Sequence, residues 1–88
     1  MTDTVRHLSH DALDSRGLVG LRQQRWRNAW NDYDAALRIN AEHASAYFGR
    51  GVAALRLGRT AEGQADIARA IQVEGDIAQT YAEYGITP

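Results

Sequence analysis

A glycine recurs at positions 17, 51 and 85, twice over at an interval of 34 residues, in a chain of only 88. When residues 10–43 are laid over 44–77, eight positions are identical: Ala12/Ala46, Arg16/Arg50, Gly17/Gly51, Leu21/Leu55, Arg22/Arg56, Arg25/Arg59, Asp32/Asp66 and Ala36/Ala70. Leu18/Val52, Leu37/Ile71 and Ile39/Val73 stay apolar in the same comparison. A third copy opens at Ala78 and keeps Tyr81 and Gly85, matching Tyr47 and Gly51. Self-similarity at this period marks units that cannot bury an apolar face alone and must stack on their neighbours.

Each unit reads as two helices. The first begins after Ser9, a suitable N-cap, and carries Ala12, Leu13, Leu18 and Leu21 at helical spacing to about Gln24. The second runs from Trp26 to Ile39 with a stripe of Trp26, Trp30, Tyr33 and Leu37. The next copy predicts helices from Ala44 to Leu57 and from Thr60 to Val73, separated at Gly58 in the manner of a C′ glycine. Asp76 and Gln79 resemble a capping box that opens a last helix from Ile77 to Tyr84. The connections are too short for anything but antiparallel hairpins, and no segment alternates with period two over a strand's length.

Glycine inside a helix costs about 1 kcal/mol relative to alanine. That cost is offset where two helices must approach without a side chain between them. Gly17 opposite Ala29, and Gly51 opposite Gly63, are the expected contact points, with Ala36 and Ala70 serving the following helix. Gly49 lies outside this scheme, since its counterpart is Ser15.

These features resemble the tetratricopeptide repeat, whose 34-residue unit pairs an aromatic start with glycine and small residues at set places. Tyr47 and Tyr81 take the aromatic place, with Leu13 in the first copy. Gly17, Gly51 and Gly85 take the glycine, Ala29 and Gly63 the later small residue, and Tyr33 and Ile67 the phenylalanine. The chain departs from the pattern at Arg16 and Arg50 (leucine in the family), at Gly20 and Ala54 (tyrosine), and at Ala41 and Gly75 (proline). The stems of Arg16 and Arg50 are expected to pack while their heads reach water.

The expected architecture is therefore an all-α solenoid of helix hairpins. An N-terminal arm (1–9) precedes repeat 1 (10–43) and repeat 2 (44–77), and a partial third repeat (78–88) acts as a capping helix over the edge left by Ile67, Ile71 and Val73. Trp26 and Trp30 correspond to Thr60 and Gln64, so the first repeat is the more apolar there. They are read mainly as core, partly covered by Val5 and Leu8. The alternative is an open edge through which the chain self-associates, as a fragment of a longer scaffold.

The resemblance implies a non-catalytic interaction module in which the first helix of each hairpin lines a concave groove for a peptide or helix of a protein partner. The groove residues would be Asp14, Leu18 and Arg22 from one copy and Phe48, Val52 and Arg56 from the next. Arg22 and Arg56 would form a ladder able to grip an acidic segment through bidentate contacts. Gly49 would be small so that a ligand can pass over it. A carboxylate clamp of the chaperone-binding kind is not expected, because all ten cations are arginine and the asparagines fall on or after the second helix.

Composition removes other classes. Ten basic and eleven acidic residues give a net charge of −1, unlike the basic domains that bind nucleic acid. No stretch approaches the roughly 18 apolar residues of a membrane span. There is no cysteine, so thiolate metal sites are excluded and either cytoplasm or periplasm is compatible. His7 and His10, three apart, could share a helical face with Asp11 or Asp14 for zinc or nickel. His43 has no suitable neighbour in the sequence, and all three histidines are read as solvated, with no metal or cofactor. No serine has an activating context and no glycine-rich loop precedes a helix, so no catalytic residue is assigned.

Overall fold

The structure, a computed structural model, describes residues 8–88. It contains five helices and, among the described residues, no strand: α1 (His10–Arg22), α2 (Trp26–Ile39), α3 (Ala44–Arg56), α4 (Thr60–Val73) and α5 (Ile77–Glu83). The starts of α1 and α3, and those of α2 and α4, are each 34 residues apart. Val5 and His7 lie outside the described residues; Leu8 packs against the core.

Local chemistry sets the helix ends. Ser9 Oγ accepts from the Ala12 amide at 3.1 Å, which satisfies one of the free donors at the start of α1. At the end of α3, Gly58 turns with φ +83°, and the Arg59 amide closes back onto the Ala54 carbonyl at 2.8 Å. At the equivalent place after α1 the left-handed residue is Gln24 (φ 60°), with Arg25 closing onto the Gly20 carbonyl at 2.8 Å. Glutamine there bears a steric cost that glycine avoids. The capping box expected at Asp76 does not form. Asp76 precedes α5 without a side-chain cap, and Thr80 Oγ1 donates to its carbonyl at 3.3 Å instead.

α1 packs on α2, α2 on α3 and α3 on α4. Gly20 faces Ala29 and Gly17 faces Tyr33, so α1 and α2 run antiparallel. This corrects the expected partner of Gly17. A Cβ at Gly17 would stand 2.8 Å from the Tyr33 ring, and Ala29 is met by Gly20, one turn further on. The Gly51–Gly63 approach is present, with a Cβ on Gly51 reaching within 2.9 Å of the Gly63 carbonyl oxygen. Gly49 also finds its reason in packing, because a Cβ there would overlap the ring of Tyr33. One tyrosine on α2 thus needs glycine on both α1 and α3. Ala36 and Ala70 are fully buried.

The core joins Leu13, Leu21, Tyr33, Phe48, Val52, Ile77 and Tyr81 in one cluster. The last two belong to α5, whose placement differs from expectation. α5 does not cover Ile71 and Val73, which stay 43% and 38% exposed. Its two buried residues, four apart and so on one face, join Phe48 and Val52 instead, with the Tyr81 and Phe48 rings 4.7 Å between centroids. Hydroxyl and carbonyl partners for Tyr81 lie on that side.

Candidate functional site

The six residues lie on α1 and α3; Phe48 and Val52 pack with Ile77 and Tyr81 of α5, and Arg22 and Arg56 meet the segment after it. Phe48 and Val52 are 0% and 1% exposed, so neither is an open contact strip. Leu18 is half-buried against the core. Covering them with Tyr81 and Ile86 removes apolar surface from water, at roughly 25 cal/mol per Å².

Arg22 and Arg56 are both engaged by the chain itself. Arg22 Nη2 donates to the Tyr84 carbonyl and Arg56 Nη2 to the Thr87 carbonyl, each at 3.2 Å. The guanidinium of Arg56 also lies 5.6 Å from the Trp26 ring centroid. Gly85, with φ +84°, turns the chain out of α5, and Tyr84–Thr87 line a cavity together with Leu21, Arg22, Trp26, Val52 and Arg56. The ladder pair therefore holds main-chain carbonyls, not carboxylates.

Asp14 belongs to a polar cluster at the other end of the same face. Ser45 Oγ donates to its two oxygens at 2.8 and 3.0 Å. The Tyr81 hydroxyl lies 2.8 Å from Ser45 Oγ, 2.9 Å from the Ser45 carbonyl and 3.1 Å from the Tyr33 hydroxyl. Burial raises the Asp14 carboxyl above its ordinary range; the Ser45 hydrogen bond and the nearby His43 oppose this without cancelling it. Burial also pushes both phenols up, Tyr33 further than Tyr81, so each stays neutral and able to donate.

The histidines require a correction. His43, which has no suitable neighbour along the chain, stands against His10, with Nδ1 atoms 3.1 Å apart and ring centroids 4.9 Å apart at 86°. Asp11 Oδ1 lies 3.5 Å from His10 Nδ1 and 3.9 Å from His43 Nε2, and Asp14 Oδ1 lies 3.8 Å from His43 Nε2. Thirty-three residues separate the two rings, so a reading based on short spacing could not join them.

Arg16 and Arg50 do not simply extend into water. Arg16 donates to Asp32 at 3.0 and 2.9 Å, and Arg50 to Asp66 at 2.8 and 2.8 Å, linking α1 to α2 and α3 to α4. Arg50 Nη1 also reaches Asp34 on α2 at 2.9 Å, so this one side chain ties three helices together. Its hydrogen bonds to Asp66 raise the guanidinium pKa further, against burial. The repeat itself carried a sign of this, because Arg16/Arg50 and Asp32/Asp66 are among its identical positions.

Trp26 and Trp30 are half-buried against the core and roofed by arginine. Arg50 and Arg59 stand 5.8 and 5.4 Å from the Trp30 ring, whose buried Nε1 has no hydrogen-bond partner among the described residues. No helix among the described residues is long and apolar enough to cross a membrane. The sequence matches no protein family model, and neither a curated protein nor a solved structure matches it.

Proposed function

We propose that this chain is a non-catalytic protein-interaction module of two tetratricopeptide-like hairpins, a short solenoid that holds an extended segment of a protein partner along α1 and α3. One observation carries the reading. Arg22 and Arg56, equivalent residues 34 apart, each donate to a main-chain carbonyl of the segment Tyr84–Thr87. Main-chain carbonyls are common to every peptide, so two guanidinium groups at this spacing can grip a partner's backbone and leave side-chain choice to the apolar floor between them. In this reading the chain's own tail is a resident occupant that a partner must displace. Affinity is then reduced by the fraction of time the tail is docked.

Peptide-display selection on the full chain tests this. Enriched peptides should bind at least about tenfold more weakly to the Arg22→Ala/Arg56→Ala variant, and more tightly to a chain lacking residues 84–88. Failure to enrich any peptide over the double variant overturns the groove.

A second reading, self-association through an apolar edge, is favoured by the exposure of Ile71 and Val73 on α4 rather than by the arginine-roofed Trp26 and Trp30. Sedimentation of the wild-type chain beside Ile71→Arg/Val73→Arg decides it. A wild-type monomer at high concentration removes this reading.

A further inference from the structure

We propose that His10, Asp11 and His43 form a binding site for a divalent transition-metal ion of the zinc class, fastening the start of α1 to the start of α3. One ligand atom from each residue lies within 4.8 Å of the others. Zinc bound at about 2.0–2.1 Å to nitrogen or oxygen has ligand atoms about 3.4 Å apart when tetrahedral. The His10 Nδ1–His43 Nδ1 distance of 3.1 Å and the His10 Nδ1–Asp11 Oδ1 distance of 3.5 Å fall on either side of that length. Two imidazoles and one carboxylate are a borderline donor set, which suits zinc, cobalt or nickel and not the all-oxygen preference of calcium or magnesium.

The surroundings fit an ion as well as the ligands do. If His43 ligates through Nδ1, its Nε2 has Asp14 Oδ1 at 3.8 Å and Asp11 Oδ1 at 3.9 Å, so Asp11 turns from Nε2 toward Nδ1 to complete the set while Asp14 stays beside the outer nitrogen. Asp14 is in turn held by Ser45, so the chain from ion to core is Asp14, Ser45, Tyr81. His43 is anchored, with 14% of its side chain exposed, whereas Asp11 at 82% is free to swing toward it. The positive end of the α1 dipole opposes a cation, and the two carboxylates, Asp11 and Asp14, offset it. Three protein ligands leave a coordination position for water or for a donor atom from outside the chain.

A hydrogen bond between the two imidazoles accounts for their contact without an ion, so the test must separate the two. The untagged full chain is titrated with Co²⁺, followed by its visible absorbance, and with Zn²⁺ in competition with a chromophoric chelator. One ion per chain is expected. His10→Ala and His43→Ala should each weaken binding by at least about tenfold, and Asp14→Asn by a smaller factor, while His7→Ala leaves it unchanged. Zn²⁺ should also raise the melting temperature of the wild-type chain and not that of His10→Ala, a surface change that leaves the core intact. Absence of stoichiometric binding overturns the site. So does binding that survives His43→Ala and is lost in His7→Ala, which would assign the ion to the short-spaced pair.

Discussion

The phenol oxygens of Tyr33 and Tyr81 stand 3.1 Å apart, in hydrogen-bond contact across 48 positions of sequence. The two residues anchor different things. Tyr33 is the ring around which Gly17 and Gly49 are cleared, and Tyr81 is the residue by which α5 is held on α3. Their contact continues through Ser45 to Asp14, so that α5 is tied to α1 by partly buried polar groups. Such a network holds one arrangement firmly when every member is satisfied.

Tyr81→Phe keeps the ring and removes the hydroxyl that meets Ser45 and Tyr33. The expected loss is about 1–2 kcal/mol of unfolding free energy, against about 3–5 kcal/mol for Tyr81→Ala, which also opens a cavity over Phe48. Urea denaturation followed by circular dichroism measures both. Equal losses in the two variants would mean that the hydroxyl, not the ring, holds α5.

The same phenols define behaviour at high pH. Both have folded-state values raised by burial, so each contributes stability that is complete below the unfolded tyrosine value of about 10 and is lost as pH rises above it. Stability should fall steeply from pH 10 upward, and Tyr33→Phe should flatten that fall. Urea midpoints at pH 8, 9, 10 and 11 give the comparison.

Asp14 behaves in the corresponding way at low pH. Its folded-state value is raised, chiefly by burial, so the ionised form costs stability once pH exceeds that value. Asp14→Asn, which can still accept from Ser45, should be more stable than wild type at pH 7. The advantage should shrink as pH falls toward the ordinary aspartate value near 4. An unchanged difference between pH 7 and pH 4 would show that the ionised carboxylate bears no burial cost.

Much of the helical order was legible in the 34-residue identities, because the period fixes where each helix begins and equivalent residues do equivalent work. Arg16–Asp32 and Arg50–Asp66 are one contact made twice, and all four residues stand among the identical positions. What period could not disclose was anything made once. Asp34 on Arg50, Tyr81 on Tyr33 and His10 on His43 each join non-equivalent positions, so no internal comparison points to them. The placement of α5 failed for the same reason. Ile77 and Tyr81 could have covered either edge, and the choice rested on a hydroxyl partner contributed by Ser45. Arg22, Val52 and Arg56 line one cavity, but the segment that closes it, Tyr84–Thr87, follows the helical part of the third copy, where the 34-residue period no longer guides.

The two arginine pairs should differ in energy despite matching geometry. Arg16 keeps 46% of its side chain exposed, where an ion pair contributes about 0–1 kcal/mol. Arg50 is 21% exposed and serves two carboxylates, each less than one-fifth exposed. Arg50→Ala leaves Asp66 without its charge partner and Asp34 with Arg38 alone, and should cost about 3 kcal/mol, against about 1 kcal/mol or less for Arg16→Ala. Paired denaturation curves test the ratio, and equal costs would locate the stabilising feature in the arginine stem common to both.

Gln24 offers a change that should strengthen the fold. It occupies the left-handed conformation that Gly58 adopts 34 residues later, and a side chain in that region costs about 1–2 kcal/mol relative to glycine. Replacing it removes that strain but adds freedom to the unfolded chain, which returns part of the gain. Gln24→Gly should therefore raise the unfolding free energy by about 0.5–1 kcal/mol. The converse change, Gly58→Gln, should lower it by about as much, since open space around Gly58 leaves backbone conformation as the deciding factor. Thermal melts of the two single variants and the double variant measure this. Because the sites lie in separate hairpin turns, the double variant should return close to wild-type stability. A stabilised Gly58→Gln would mean that side-chain contacts, not backbone strain, govern these turns.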